Sequence, residues 1–282
     1  MDRRRAAAAI IAALVSLVGP ARQAEVADAA PVSAAGTAST GATRDVSFAP
    51  GATCDLVTAA SLSSRHPGVR QFVIVTTDAW EATSATLQIV ARSATGEWRC
   101  QQPPLTARVG KSGIRPLAER RSGDGTTPAG TFPLGTVRAW DGQLFQFFGN
   151  RSDPGVRGPY RDVRDEDCWG ATPQTASYQA LIDAPGCSSP DEWLTRIGDV
   201  YGHAAVIGAN LDPISGNAPG EPALAAAIFL HRNSYTASGG SKPTSGCVSL
   251  AGGDLEVVLR LIDPALSVRF AIGEREWLRA SA

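Results

Sequence analysis

The chain has 282 residues, of which 43% are apolar, and a formal net charge of −1 at pH 7. That length supports one large domain or two small ones. A nearly neutral chain offers no basic face to nucleic acid, so nucleic-acid binding is not expected.

The first 29 residues have the composition of an export signal. Three arginines, Arg3 to Arg5, precede an unbroken run at 6–18 that is mostly Ala, Ile, Leu and Val. As a helix this run would span roughly 20 Å, less than the ~30 Å hydrocarbon core of a membrane. The pattern predicts a signal peptide at 1–29 with a small-x-small cleavage motif at 27–29. An uncleaved anchor is the alternative. In either case the rest of the chain is exported, and membrane attachment is expected only through this segment.

The composition changes twice after this segment. Residues 30–50 are rich in Ala, Ser, Thr and Gly, which predicts a flexible linker. A single β-rich domain is expected at 51–282. One helix is predicted at 254–262, where apolar residues recur at helical spacing and Pro264 follows the end. A polar insertion at 173–189 is either a lid or a surface elaboration.

Short segments of strand character dominate this domain, because they are rich in apolar, β-branched and aromatic residues. The predicted strands lie at 71–77, 86–92, 98–100, 131–134, 204–208, 225–230 and 266–272. We therefore expect a mainly β fold, a β-sandwich or capped barrel with one or two short helices.

The strongest functional signal is a histidine followed by a cysteine. His231 ends the apolar run Ile228–Leu230, and Cys247 follows sixteen residues later, directly after Gly246. The segment between them is polar and glycine-rich, which predicts a loop that brings its two ends together. A thiol attacks as the thiolate and needs a neighbouring base to take its proton. The pattern predicts a nucleophile and a base. The alternatives are a buried structural thiol and a core histidine.

These residues resemble the active-site motif of the L,D-transpeptidase (YkuD-type) catalytic domain. In that family a His after an apolar strand is followed by a loop, then by Ser/Thr-x-Gly-Cys and an apolar residue. Thr244, Gly246, Cys247 and Val248 match this order. A second family segment, Asp-Gly-x-Thr-Pro-x-Gly-x-Phe, is matched by residues 124–132. The resemblance extends from about Gln71 to Gly273, and it implies the catalytic type of β fold found in that family.

The resemblance also implies a role for each residue of the motif. Cys247 would attack an acyl carbonyl, and His231 would act first as base and then as acid. Backbone N–H groups near Gly246 and Cys247 would stabilise the oxyanion. A backbone carbonyl in the Arg232–Asn233 region would orient the other nitrogen of His231.

Four further residues are candidate substrate contacts. Arg232 and Lys242 would attract a substrate carboxylate, or they are ordinary solvated loop charges. Ser245 either donates a hydrogen bond in the site or fills a turn. Many family members have His or Lys where this chain has Ser245, and Asn or Arg where it has Ser249. These positions shape the site and contact the substrate in the family, so the resemblance leaves substrate preference, and to a lesser degree turnover, open. Asp124 is expected to serve the turn before the strand at 131–134.

The function implied is that of an exported L,D-transpeptidase at the cell wall or the periplasmic or extracellular face, with peptidoglycan as its partner. Cys247 would form a thioester with a stem peptide and release D-alanine, and an amine of a second stem would complete a 3–3 cross-link. The alternatives are an L,D-carboxypeptidase, a wall cysteine peptidase or amidase, and a non-catalytic wall-binding domain. No cofactor is expected. The chain has three His and lacks Cys-x-x-Cys and His-x-x-x-His motifs, so no metal site is expected.

An odd number of cysteines, five in all, leaves one thiol over in an exported chain. With Cys247 as the free nucleophile, the simplest pairing joins Cys54 to Cys100 and Cys168 to Cys187, because each bond then closes a short loop. Four cysteines allow three pairings, and five reduced, buried thiols are the alternative.

Overall fold

The computed structural model of the chain describes residues 46–183, 185–211 and 220–280. The predicted signal peptide at 1–29 and the predicted linker up to residue 45 lie outside these residues. These described residues belong to one compact unit. Residues 46–50, which the sequence assigned to the linker, belong to this unit, and the Ala49 N–H donates to the Cys100 carbonyl at 3.0 Å. No helix among the described residues is long and apolar enough to cross a membrane.

Strands make up most of the regular structure, as the sequence predicts. They are β1 Gln71–Thr77, β2 Ser84–Arg92, β3 Trp98–Cys100, β4 Leu105–Arg108, β5 Ile114–Pro116, β6 Thr127–Pro133, β7 Val137–Arg138, β8 Leu144–Phe145, β9 Phe147–Gly149, β10 Tyr160–Asp162, β11 Asp167–Trp169, β12 Leu181–Asp183, β13 Glu192–Trp193, β14 Ala204–Val206, β15 Phe229–Arg232, β16 Val248–Leu250 and β17 Arg269–Glu274.

Helices are few and short. The described residues contain three α-helices, α1 Leu56–Arg65, α2 Gly252–Leu261 and α3 Arg275–Ala280, so the expectation of one or two helices is too low. Short 3₁₀ helices lie at Leu117–Glu119, Leu194–Tyr201 and Pro264–Leu266. The predicted helix at 254–262 corresponds to α2, which begins two residues earlier and ends one residue earlier.

Twelve strands form one large mixed sheet, and the mainly β class is confirmed. The strand order is β10-β9-β14-β15-β16-β4-β2-β1-β17-β6-β5, and β3 pairs with β2. Four pairs are parallel: β1 with β17, β5 with β6, β9 with β10, and β15 with β16. Every residue of β1 is buried, as expected of a central strand covered on both faces.

The pairing of β15 with β16 places the histidine and the cysteine of the sequence motif on one face of the sheet. The parallel register sets Leu230 beside Val248 and His231 beside Ser249. Alternate residues of a strand face opposite sides. Leu230 and Val248 therefore enter one hydrophobic core, whereas Phe229 and Cys247 enter a second core on the other face.

The predicted polar insertion at 173–189 is partly structural. Its residues Leu181–Asp183 form β12, which pairs with β11, and β13 completes a small three-stranded sheet, which we call the insertion sheet. Inside the insertion Gln179 is buried. Its amide nitrogen donates to the carbonyls of Ala209 and Ala225 at 3.1 and 3.2 Å, and its amide oxygen accepts from the Ala227 N–H at 3.1 Å. The insertion thereby fixes the segment that leads into β15.

Both predicted disulfides are present, Cys54–Cys100 and Cys168–Cys187, and Cys247 is a free, buried thiol. Disulfides persist in oxidising compartments. The two bonds therefore support an exported chain.

Removing either disulfide should lower the free energy of unfolding. From the loop lengths we expect a loss of about 4 kcal/mol for Cys54→Ser/Cys100→Ser and about 3 kcal/mol for Cys168→Ser/Cys187→Ser. Denaturant unfolding of each double variant measures the loss. Equal stability of the wild type and both variants would contradict the prediction.

Candidate active site

Cys247 and His231 line the same cavity, which we call the Cys247 cavity. It has a volume of about 990 Å³, near the upper end of the usual range for small-molecule sites. The loop before β16 and the segment before β15 form part of the wall. The loop at 120–123, the insertion sheet and the 3₁₀ helix at Leu194–Tyr201 form the remainder.

The two side chains share a face but do not hydrogen-bond to each other. Cys247 lies one position before β16, and by the register it is a neighbour of Phe229, two residues before His231. Strand spacing puts the two Cα atoms about 8 Å apart. Catalytic contacts are often long without substrate and tighten when it binds.

The thiol is held in a polar slot of the backbone. Its sulfur accepts a hydrogen bond from the Phe229 N–H at 3.4 Å and donates one to the Ala227 carbonyl at 3.3 Å. Burial raises the pKa of the Cys247 thiol to about 12, and the negative charge of Glu192 acts in the same direction. The resting sulfur is therefore a neutral thiol, and a nucleophilic role would require a base that removes its proton.

Ala227 adopts an unusual backbone conformation. Its φ of 53° lies in the left-handed region, which is costly for a residue with a Cβ. The hydrogen bond from its N–H to Gln179 maintains this conformation. The predicted strand at 225–230 therefore begins only at Phe229, and the Ala227 carbonyl remains directed at the cysteine.

His231 is oriented as a base. Its Nδ1 is 2.7 Å from the Arg232 carbonyl oxygen, and because a carbonyl only accepts, Nδ1 carries the proton. The lone pair of the neutral ring is then on Nε2. Burial lowers the pKa of His231 to about 4, so the ring is neutral at pH 7. The contact expected from a carbonyl in the Arg232–Asn233 region is thus made by Arg232.

The block at 124–132 and Thr244 support the backbone at Cys247. The hydroxyls of Thr127 and Thr244 both donate to the Cys247 carbonyl, at 3.0 and 2.6 Å. Asp124 serves the turn, as expected, because it accepts from the Arg121 and Thr126 N–H groups at 3.0 and 2.8 Å.

Gly246 is required by the shape of this turn. Its φ is +153°, and a Cβ added there would lie 3.1 Å from the Thr126 carbonyl oxygen. Its N–H donates to the Thr244 hydroxyl at 3.1 Å. Among the described residues no group accepts from the Cys247 N–H. Of the two predicted oxyanion donors, the Cys247 N–H is therefore the one left free.

Arg120 is a functional candidate that the sequence did not single out. Its side chain is 1% exposed and lines the cavity. It donates to the carbonyls of Leu224 and Thr126 at 2.5 and 2.9 Å and pairs with Asp124 at 3.6 Å. Its positive charge favours the thiolate of Cys247. Arg120 therefore joins the two loops of the cavity wall and makes the potential at the sulfur more positive.

Glu192 and Tyr201 were also missed, and both line the cavity. The Tyr201 hydroxyl donates to the Glu192 carboxylate at 2.8 Å. The Tyr201 ring meets the His231 ring edge-on, with 5.5 Å between centroids. Nothing in the local sequence marks these residues, because their position depends on the disulfide-linked insertion sheet.

The four predicted substrate contacts are distributed over different surfaces. Ser245 is exposed and lines the cavity. Ser249 is fully buried and donates to the Asn233 side chain at 2.7 Å. Arg232 projects from the other face of β15, pairs with Asp199 and lines a separate, smaller cavity. Lys242 is exposed and is not part of the Cys247 cavity wall.

The described residues contain no group of three or more His, Cys, Asp or Glu side chains that could hold a metal ion. No protein-family model matches the chain, and no curated protein sequence matches it.

Proposed function

We propose that the chain is an exported, cysteine-dependent L,D-transpeptidase that acts on peptidoglycan stem peptides at the cell wall. The observation that carries the proposal is the position of Cys247 and His231 on one face of adjacent strands in one cavity. The sequence motif supports it, as does the large mixed sheet with a core on each face. The finer fold assignment, a β-sandwich or capped barrel of the L,D-transpeptidase type, belongs to the same proposal.

In the proposed reaction His231 Nε2 takes the thiol proton while Cys247 Sγ attacks the carbonyl carbon of the third stem residue. The Cys247 N–H, free among the described contacts, stabilises the oxyanion. The C–N bond then breaks, and His231 returns its proton to the departing D-alanine amine. A side-chain amine of a second stem attacks the thioester, the C–S bond breaks, and the thiol is restored.

The direct test incubates the wild type and Cys247→Ala with a purified disaccharide-tetrapeptide and identifies the products by mass spectrometry. Loss of D-alanine together with a cross-linked dimer, both absent with the variant, is the expected result. Loss of D-alanine without a dimer would identify an L,D-carboxypeptidase. Cleavage elsewhere in the stem would identify a peptidase or amidase.

A carbapenem should acylate Cys247 if the site is active. The thiolate would open the strained lactam, and the protein mass should increase by one intact drug molecule. Intact-protein mass spectrometry measures this, with Cys247→Ala as the control that stays unmodified. A wild-type protein that neither reacts with the drug nor releases D-alanine would support a non-catalytic wall-binding domain.

A further inference from the structure

We propose that Glu192 binds the ammonium group of the second stem peptide, the amine that resolves the thioester. This inference rests on the proposed function and names the residue that selects a primary amine over water. Glu192 lines the Cys247 cavity, and its carboxylate acts electrostatically on the sulfur. A cation held there would lie close to an acyl group on Cys247.

The carboxylate has one oxygen available. Oε1 accepts the hydrogen bond from the Tyr201 hydroxyl. Oε2 has no hydrogen-bond partner among the described residues. It is not one of their buried, unpartnered side-chain atoms, so it is accessible to solvent. Glu192 is partly exposed and lines the cavity, so Oε2 is the atom through which it would bind a substrate cation there.

Glu192 also differs from the other acidic residues of the cavity wall. Asp191 accepts from the Ala171 N–H at 2.8 Å, and Glu221 pairs with Arg121 at 3.5 Å. Within the described part of the chain, no Lys, Arg or His forms an ion pair with Glu192. A carboxylate in a mostly apolar site is costly without a cation. A substrate ammonium group would provide the missing charge.

Attack by the amine on the thioester requires a nearby group that accepts a proton. A side-chain amine with an ordinary pKa near 10.4 arrives protonated at pH 7 and cannot attack. Glu192 would accept one proton from the bound ammonium group and later release it to solvent, and the neutral nitrogen would attack the thioester carbon. The second N–H proton would pass to His231 and then to the departing sulfur. Burial raises the pKa of Glu192, which favours its role as proton acceptor.

A structural role is the competing interpretation, in which Glu192 only holds Tyr201 behind His231. Glu192→Gln separates the two, because the amide oxygen still accepts from Tyr201 while the negative charge is lost. Glu221→Gln is the matched control, since it removes an acidic residue from the same cavity wall.

The first experiment measures binding and does not depend on catalytic activity. NMR titration of the Cys247→Ala protein with Nα-acetyl-lysine amide and with Nα-acetyl-norleucine amide measures whether the ammonium group matters. We expect the lysine probe to bind at least about tenfold more tightly than the norleucine probe, and Glu192→Gln to abolish that preference while Glu221→Gln retains it. Equal binding of both probes, or a preference that survives Glu192→Gln, would overturn the inference.

The second experiment measures the ratio of cross-linked dimer to hydrolysed stem in proteins that contain Cys247. Glu192→Gln should lower this ratio by at least about tenfold, and Glu221→Gln should leave it unchanged. An unaltered ratio in Glu192→Gln would refute the amine role. If the wild type releases no D-alanine, the proposed function fails, and the titration still decides whether Glu192 binds an amine.

Discussion

Cys247→Ser should fold as the wild type does and lose D-alanine release by a factor on the order of 10⁴ or more. Loss of a catalytic nucleophile has effects of this size or larger. A serine hydroxyl fits the same slot, accepting from the Phe229 N–H and donating to the Ala227 carbonyl. The free energy of unfolding should therefore change by less than about 1 kcal/mol.

Two measurements on the serine variant check this prediction. Mass spectrometry of tetrapeptide reactions gives the rate of D-alanine release, and denaturant unfolding gives the stability. Retention of more than a few per cent of wild-type activity in a correctly folded serine variant would show that Cys247 is not the nucleophile.

His231→Gln should lower kcat/KM for D-alanine release by about 10²–10⁴-fold, the usual contribution of a general base. The wild-type pH profile should also report this residue. With the pKa of His231 at about 4, the ring is unprotonated above that value and loses its basic nitrogen as the pH falls through it. The thiol, with a pKa of about 12, remains protonated until strongly alkaline pH.

The expected wild-type profile is therefore flat from about pH 5 to about pH 10, with an acid limb below that range. The limb should disappear in His231→Gln, because the group that titrates is gone. Steady-state rates across this range, restricted to pH values at which circular dichroism shows a folded protein, measure the profile. An acid limb near the ordinary histidine pKa of about 6.5 would contradict a buried, neutral His231.

The local sequence was sufficient to predict features that depend on one segment or on short loops. The strand at 71–77 and the helix near 254–262 follow from residue type and spacing, and both are present. The disulfide pairing followed from short loop lengths and is also present. The helix α1 was missed although Asp55 caps it by accepting from the Thr58 N–H at 3.0 Å, a signal that Asp-x-x-Thr could have provided.

The cavity wall could not be predicted, because its charged residues are brought together from distant segments. The buried Arg120 guanidinium donates to the carbonyls of Thr126 and Leu224, and Leu224 is about a hundred residues further along the chain. Glu192 reaches the cavity through β13, whose position depends on β11 and the Cys168–Cys187 bond. The polar composition of 173–189 left a lid and a surface elaboration open. It did not reveal that the buried Gln179 hydrogen-bonds to three backbone groups of the segment leading into β15.

The parallel pairing of β1 with β17 also determines when the sheet can form. Phe72 lies beside Arg269, so about 200 residues must be synthesised after the first strand before its partner exists. At about 5–20 residues per second a ribosome needs roughly 10–40 s for that interval. Until then β1 pairs only with β2, which itself pairs with the nearby strands β3 and β4. The central strand β1 therefore gains its second neighbour only after nearly the whole described chain has been synthesised, and the large sheet is completed last at its middle.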